Sequence, residues 1–297
     1  MLQRRVAAFR PDAVLGHYGT FPLLAELHAV GIPAYYYVHD AWSVRGLDRY
    51  RESIRPIASS PFVASEVRRV AGLDAPLVLP AIDLDACRIQ GVRERGTVTF
   101  INPVPKKGVE IAIEVARRMP DVPFLFVEGG WFRHARRPAV RRVARRADRV
   151  PNITRQSFES DVRKIYARTD VLIVPSPSES FPRVVIEAQS NGIPVIGARV
   201  AGLPQTIRDG GRLVDDREDV DAWVEAIRSV REDESLYQRL SRNARERAAD
   251  PELDADRLVD RFLEVLRDGR NASRAAEAPE LRVDLRAPTG TARPGSG

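Results

Sequence analysis

Short apolar runs alternate with amphipathic, helix-length segments along the chain from residue 97 onward. The runs lack in–out alternation, which is typical of strands in a sheet that is covered on both faces. Predicted strands lie at 97–102, 122–130, 152–154, 170–176 and 193–198, with helices at 108–119, 136–147, 160–169 and 182–192. Strands that alternate with helices predict a parallel, doubly wound sheet. We therefore predict an α/β fold with a complete Rossmann-like domain over residues 91–252.

The first 90 residues repeat this rhythm more weakly. Predicted strands lie at 12–16, 33–39, 55–59 and 76–80, and a predicted helix lies at 21–30. Ser60 and Pro61 then suit the N-cap and the first position of a further helix. These elements predict a second Rossmann-like domain over residues 1–90.

Three helical segments, at 219–230, 233–248 and 254–267, follow the last predicted strand. We assign the final one to a separate C-terminal helix, over residues 253–268. Residues 269–297 contain few large apolar side chains, and this composition predicts a disordered tail.

The composition narrows the class of protein. Hydrophobic residues make up 43% of the 297 positions and charged residues 30%, the balance of a soluble globular protein. The single cysteine, Cys87, excludes an internal disulfide, and no cysteine cluster suggests zinc. No apolar run reaches the length of a membrane span, and the N-terminus has no signal-peptide core. We therefore expect a cytoplasmic protein.

The basic character of the chain comes from one stretch. Residues 131–150 hold eight arginines and one acid, Asp148, so their charge of +7 exceeds the +6 of the whole chain. The arginines lie at helical spacing opposite apolar positions, which favours a solvated surface. Docking of the Arg133–Arg149 patch to an anionic membrane surface is the functional alternative, with peripheral membrane localisation. We expect no nucleic-acid partner, since no known nucleic-acid-binding module is present.

The most informative segment is 175–205, PSPSESFPRVVIEAQSNGIPVIGARVAGLPQ. A strand ends at Val174, a loop of Pro and Ser follows, and a helix begins near Pro182. The first N–H groups of that helix face the sheet edge where open α/β sheets bind ligands, and a helix N-terminus suits phosphate. Glu179 and Glu187 stand at opposite ends of this loop–helix unit. Carboxylates accept hydrogen bonds from vicinal hydroxyls, so a phosphorylated sugar is the predicted ligand.

This pattern, E-S-F-P-x-x-x-x-E followed by N-G-I-P-V-I and A-G-L-P, resembles the E-x7-E region of retaining glycosyltransferase family 4, whose members have the GT-B fold. Further matches are R-P-D-A-V (10–14), G-I-P (31–33), V-H-D (38–40), K-G (107–108), V-E-G-G (127–130) and D-V-L-I-V-P-S (170–176). The order and spacing agree over about residues 10–265. The resemblance implies transfer of a sugar from a nucleoside diphosphate sugar to a glycan, lipid or small acceptor, with retention of configuration.

The resemblance also implies roles for individual residues. Glu187 would bind the ribose hydroxyls, Glu179 the hydroxyls of the donor sugar, and Lys107 the departing diphosphate. His39 would face the donor sugar from the N-terminal domain. The remaining implied donor-binding residues are Phe181, Pro182, Arg183, Val184, Asn102, Gly129 and Gly130. The resemblance implies no metal and no cofactor other than the donor itself.

Several positions depart from the family pattern. Asn102 and Pro103 replace a Gly-Arg turn, so Lys106 or Arg183 would have to supply the missing cation. Ser180, Pro182 and Ala201 replace glycines, and Gln205 replaces an acid. The family also begins with a strand, a Gly-rich loop and further βα units that are absent here, which predicts a truncated N-terminal domain.

Alternatives stay open at this point. Glu179 and Glu187 could be a loop acid and a solvated helix acid, Lys107 a helix-start residue, and His39 a buried core histidine. We expect Asp40 to cap a turn. A donor-binding remnant without turnover is the main alternative function. A phosphorylase, an epimerase or a nucleic-acid-binding protein would be the others.

Overall fold

The computed structural model describes residues 8, 9, 11–129 and 138–276. Within them, nine strands form two sheets in which every pairing is parallel. The parallel α/β architecture predicted from the apolar pattern is therefore confirmed. Residues 130–137 and 277–297, which include the predicted site residue Gly130 and most of the predicted tail, lie outside the described part.

The smaller sheet has the order β1-β2-β3. Its strands are β1 (Val14–Gly16), β2 (Ala34–Val38) and β3 (Arg55–Ala58), and helices α1 (Phe21–His28) and α2 (Pro61–Ala71) pack against it. The predicted N-cap is confirmed, because the Ser60 hydroxyl accepts a hydrogen bond from the Val63 amide at 3.1 Å. The predicted strand at 76–80 is wrong. It is reduced to one bridge, between Ala58 and Leu77, since the flanking prolines have no N–H to extend a ladder.

The larger sheet has the order β6-β5-β4-β7-β8-β9. Its strands are β4 (Thr97–Ile101), β5 (Phe124–Val127), β6 (Ile153–Gln156), β7 (Thr169–Val174), β8 (Val195–Ala198) and β9 (Gly211–Val214). The sequence did not predict β9, a partly exposed edge strand of four residues. The strand order reverses between β4 and β7, and open α/β sheets bind ligands at the carboxyl edge of such a reversal.

Seven helices connect or cover these strands within the described residues: α3 (Val109–Arg118), α4 (Pro138–Ala147), α5 (Arg163–Tyr166), α6 (Arg183–Ser190), α7 (Leu203–Ile207), α8 (Val220–Glu232) and α9 (Glu234–Ala248). Strands β5, β7 and β8 are buried along their whole length, so both faces of the sheet are covered. Phe100, Phe124 and Trp223 are among the largest buried side chains of this core.

The last helix in the described part of the chain, α10 (Ala255–Ala276), returns to the smaller sheet. The Tyr35 hydroxyl donates a hydrogen bond to the Leu266 carbonyl at 2.9 Å, and Phe262 contacts the edge of Tyr37. Val265 joins an apolar cluster that contains Tyr35 and Ile186, so this cluster connects the smaller sheet, α6 and α10. The helix runs past residue 268, the predicted end of the C-terminal helix, as far as Ala276. The alanines of this segment are strong helix formers.

Polar contacts also join the two sheet-bearing units. The side-chain carbonyl of Gln205 in α7 accepts a hydrogen bond from the Phe62 amide in the first turn of α2, at 3.0 Å. Asn191, directly after α6, accepts from the Ile89 amide at 2.8 Å and donates to the Cys87 carbonyl at 3.1 Å. Gln205, where the family pattern has an acid, therefore contributes to a contact between the units.

Candidate functional site

The turn between β7 and α6 has the predicted form. Strand β7 ends at Val174, Pro182 is extended, and α6 begins at Arg183. The intervening loop is held from the other side, since the Gly202 amide donates to the Glu179 carbonyl at 2.7 Å. A Cβ atom at position 202 would lie 1.9 Å from the Ser180 carbonyl oxygen, so this approach requires glycine.

Lys107 reaches this loop from the neighbouring strand. It ends the 3₁₀ turn Pro105–Lys107 that follows β4, and Gly108 comes next at φ +80°. A Cβ atom at position 108 would lie 2.0 Å from the Pro175 carbonyl oxygen, so glycine allows the turn to rest on the end of β7. The structure therefore brings together two residues that lie 72 positions apart, Lys107 and Glu179.

The Lys107 ammonium and the Glu179 carboxylate form a close, partly buried ion pair. Lys107 Nζ lies 2.5 Å from Glu179 Oε1, and the Ser176 hydroxyl donates to the same oxygen at 2.7 Å. The Lys107 side chain is 27% exposed and that of Glu179 is 11% exposed. A pair so shielded from water keeps more of its electrostatic interaction than a surface pair does.

A cavity of about 140 Å³ opens beside this pair, at the carboxyl ends of β4 and β7. Its polar lining residues are Asn102, Lys107, Ser176, Glu179 and Arg183. It lies where the strand order reverses, which is the expected ligand position in a doubly wound sheet. The cavity thus combines a cation, a carboxylate and a hydroxyl with apolar walls from β4 and β7.

Asn102 has two unusual features at the cavity wall. It adopts φ +64°, a conformation that asparagine tolerates better than most residues. Its Oδ1 atom is buried and has no hydrogen-bond partner among the described residues. A Cβ atom at Gly129 would lie 2.9 Å from this oxygen, so the predicted residues Asn102 and Gly129 are neighbours. A buried acceptor without a partner is costly, and a ligand hydroxyl would satisfy it.

The N-terminus of α6 supplies hydrogen-bond donors to the same region. Its N-cap residue, Pro182, makes no side-chain cap, so the first-turn N–H groups have no capping partner from that residue. Pro182, Arg183 and Val184 all line the cavity. Phe181 instead packs in the apolar cluster between the two sheets.

Glu187 lies apart from this cavity and is not among its lining residues. Its buried carboxylate accepts a hydrogen bond from the Tyr166 hydroxyl at 2.8 Å and lies 3.6 Å from Arg183. Burial, followed by the charge of Glu187, raises the pKa of Tyr166 well above its ordinary value and that of Cys87 to about 11. Both groups therefore stay protonated at neutral pH. Arg183 lies between the two predicted acids, because it contacts Glu187 and also borders the cavity that Glu179 lines.

His39 belongs to a cluster at the carboxyl edge of the smaller sheet. Its ring stacks on Tyr18 and makes edge contacts with His17 and Tyr37. Burial, and then the neighbouring His17, lowers the pKa of His39, with Asp40 opposing the shift. Asp40 caps a turn as predicted, since its Oδ1 accepts from the Ser43 amide at 2.8 Å.

Sequence reasoning missed three contributors to these sites. Ser176 lies inside the quoted motif, and its position three residues before Glu179 was an available signal. Tyr166 and Tyr18 contact Glu187 and His39 through the tertiary fold, and no local pattern marks them. The ligand roles predicted for the site residues stay predictions.

Two further features concern metals and membranes. Within the described part of the chain, no group of three or more His, Cys, Asp or Glu side chains could hold a metal ion. Of the helices in that part, none combines the length and the apolar character needed to cross a bilayer.

Comparison with known proteins identifies a family. The model described as "Glycosyl transferases group 1" matches residues 97–247, just over half of the chain, from β4 into α9. A D-inositol 3-phosphate glycosyltransferase of Mycobacterium sp. (strain JLS) is 35% identical over 167 residues, covering 54% of this chain and 38% of that protein. The namesake from Mycolicibacterium smegmatis is 34% identical over 190 residues, covering 58% of this chain and 43% of that protein. The chain thus spans less than half the length of these relatives.

Solved structures share the fold at low sequence identity. Anabaena Alr3699/HepE in complex with UDP-glucose superposes with a TM-score of 0.75 at 19% identity, over 90% of this chain and 81% of that one. Sucrose-phosphate synthase from Thermosynechococcus elongatus gives 0.74 at 19% identity, over 91% and 77%. These similarities confirm the predicted fold, a pair of Rossmann-like units of the GT-B type.

Proposed function

This chain belongs to the glycosyl transferases group 1 family, and we propose that it transfers a sugar from a nucleoside diphosphate sugar to an acceptor. The observation that carries the proposal is the Lys107–Glu179 pair, which borders a cavity where the strand order of the larger sheet reverses. A cation and a carboxylate side by side suit a ligand that combines a diphosphate with a sugar.

The two charges take different parts of that ligand. The Lys107 ammonium binds the diphosphate, whose negative charge grows as the sugar leaves, and a cation preorganised in a poorly hydrated site stabilises that charge. Glu179 is then released from Lys107 and accepts a hydrogen bond from a sugar hydroxyl. Ser176 keeps the carboxylate in place, because its hydrogen bond to Oε1 does not depend on Lys107.

Arg183 and the N-terminus of α6 complete the diphosphate site. The Arg183 side chain borders the cavity and is 62% exposed. It therefore reaches a bound phosphate without first having to leave a buried position. It is our candidate for the second cation that the Asn102-Pro103 turn lacks. In this proposal Glu187 accepts hydrogen bonds from the ribose hydroxyls, and these replace its contact with Arg183.

The donor base and the acceptor are narrower proposals. A neighbour with the same fold is known in complex with UDP-glucose, which makes UDP sugars the first donors to examine. The similar mycobacterial proteins are named for D-inositol 3-phosphate, which makes a phosphorylated polyol a candidate beside a glycan or a lipid-linked acceptor. His39 faces the donor sugar from the smaller-sheet side in this proposal, and retention of the anomeric configuration is the proposed outcome.

Calorimetric titration with UDP, GDP and ADP sugars tests the proposal. We expect one nucleotide series to bind, and Lys107→Met to weaken that binding by about tenfold or more, the effect of losing a charge-assisted contact of about 1.5 kcal/mol. Lys164→Met is the matched control, since Lys164 is 65% exposed and pairs with Glu159. Equal loss in both variants would contradict the role of Lys107.

Product analysis separates transfer from binding alone. With the bound donor and a panel of acceptors, we expect a glycosylated product whose anomeric proton coupling matches that of the donor. Saturable donor binding without any product would favour a binding protein. Inversion of the coupling would contradict retention.

A further inference from the structure

Helix α4 presents two opposite faces. Val143, Ala147 and the following Val150 are buried in the core of the larger sheet, which fixes the rotation of the helix. The opposite face carries Arg141, Arg142, Arg145 and Arg146, and Arg149 follows in the turn after the helix; these five residues form the Arg ridge. At 3.6 residues per turn the four helical arginines fall within an arc of about 140° and extend over roughly 8 Å. The Arg ridge is therefore a continuous, outward-facing band of charge.

Among the residues that the structure describes, no acid compensates this charge. The nearest acid along the chain, Asp148, binds Arg155 through both carboxylate oxygens, at 2.7 and 3.0 Å. Arg155 also binds Glu128, at 2.7 Å. Across residues 11–129 and 138–268, no ion pair joins the Arg ridge to a carboxylate, whereas arginines elsewhere, such as Arg68, have one. The Arg ridge and Pro138 are the described residues that line an open recess of about 470 Å³.

The chemistry of the Arg ridge selects an anionic partner with several phosphates. One guanidinium group can donate two parallel hydrogen bonds to the oxygens of a phosphate. Five guanidinium groups in one band therefore suit an array of several phosphates. Proteins that bind single-stranded nucleic acids add aromatic side chains on which bases stack. The described residues 138–150 contain no aromatic residue, and Trp131 and Phe132, which precede them in the sequence, lie outside the described part. A bilayer surface presents many phosphates in one plane and needs no stacking.

We propose that the Arg ridge docks the protein on anionic phospholipid headgroups. Val143 and Ala147 of α4 already pack in the core, so docking through the Arg ridge is electrostatic. Helix α4 also packs against the Pro105–Lys107 turn. Docking through the Arg ridge therefore holds the Lys107–Glu179 cavity close to the membrane surface. This inference is independent of the sugar chemistry proposed above.

Vesicle co-sedimentation tests the docking surface. Phosphatidylcholine vesicles with and without phosphatidylglycerol are compared, using the full chain and a variant with all five arginines of the ridge changed to glutamine. We expect binding to the anionic vesicles only, lost on raising the salt concentration, and reduced by about tenfold or more in the variant. The matched control changes five exposed arginines elsewhere to glutamine, Arg49, Arg239, Arg242, Arg257 and Arg267, and keeps wild-type binding.

Other outcomes would overturn the proposal. Equal loss in the control variant would show a response to net charge alone, and salt-resistant binding to neutral vesicles would show apolar insertion. Tighter binding of single-stranded DNA than of vesicles would indicate a nucleic-acid surface. Full competition by free glycerol phosphate would indicate a single phosphate site. Circular dichroism and nucleotide-sugar titration of the ridge variant, both expected to be unchanged, show that the fold and the cavity are intact.

Discussion

The Lys107–Glu179 contact links stability to ligand binding at the scale of single residues. Each side chain is the ionic partner of the other in this structure, and both are mostly withdrawn from water. Removing one partner leaves the other charge partly buried, which costs more than losing a surface ion pair. A variant at either position consequently changes both the free energy of unfolding and the affinity for a ligand.

Glu179→Gln should separate the two halves of the proposed donor. Glutamine keeps the hydrogen bond from Ser176 but leaves Lys107 without its carboxylate. We expect a loss of about 1–2 kcal/mol in unfolding free energy, between the ranges for surface and buried pairs. Affinity for the nucleoside diphosphate should hold or rise, because Lys107 no longer has a competing partner, whereas affinity for the nucleotide sugar should fall. Calorimetry with both ligands checks this, and a parallel loss of both affinities would contradict it.

The cluster around His39 predicts a pH dependence of stability. Because burial lowers the pKa of His39 below its ordinary 6.5, the unfolded chain binds a proton at this position before the folded chain does. The contribution of His39 to the free energy of unfolding is therefore fully present above about pH 6.5, and it is lost as the pH falls below that value. Thermal unfolding of the wild type and His39→Gln, scanned from about pH 7.5 to about pH 5, measures it. We expect the wild type to lose stability more steeply, and parallel curves would refute the assignment.

Particular elements show where sequence reasoning succeeds and where it stops. The β7–α6 turn was predictable, because an apolar run, a loop of Pro and Ser, and a helix start follow each other in the chain. Strand β9 was missed, since an edge strand with half-exposed residues has no continuous apolar run. The pairing of Tyr166 with Glu187 depends on how two elements pack, and neither segment alone indicates it.

The 3₁₀ turn before α3 offers a test at the scale of an element. Gly108→Ala adds a Cβ atom at φ +80° and within 2.0 Å of the Pro175 carbonyl oxygen. We expect a loss of about 2–4 kcal/mol, more than the cost of positive φ alone, together with weaker nucleotide binding as Lys107 moves. The matched control is Gly72→Ala, where φ is +66° and nothing lies within 4 Å. Urea denaturation that gives equal losses at both positions would rule out the close approach as the cause.

At the scale of the whole molecule, α10 makes the two sheet-bearing units interdependent. It contributes to an apolar cluster with Tyr35 from the smaller sheet and Ile186 from α6. The chain therefore does not divide into two independently completed cores. The sequence predicted this helix but not its packing partners, because the apolar face of a helix does not indicate which element will cover it.

Two valines on α10 test that dependence. Val265 is 8% exposed and lies in the shared cluster, whereas Val259 is 50% exposed on the same helix. We expect Val265→Ala to lower the unfolding free energy by about 1–2 kcal/mol and Val259→Ala to change it by less than about 0.5 kcal/mol. Differential scanning calorimetry should show that Val265→Ala lowers the temperature of the unfolding transition, whereas Val259→Ala leaves it close to that of the wild type. No shift, or an equal shift in both variants, would contradict a shared core.

The hydrogen bond from Tyr35 to Leu266 joins residues 231 positions apart. Synthesis on the ribosome runs from the N-terminus, so strand β2 emerges long before the helix that covers it. Until the residues of α10 have been synthesised, the apolar side chains around Tyr35 lack their cover, and contacts this distant in sequence form slowly. The smaller sheet therefore completes its packing only after α10 has left the exit tunnel of the ribosome.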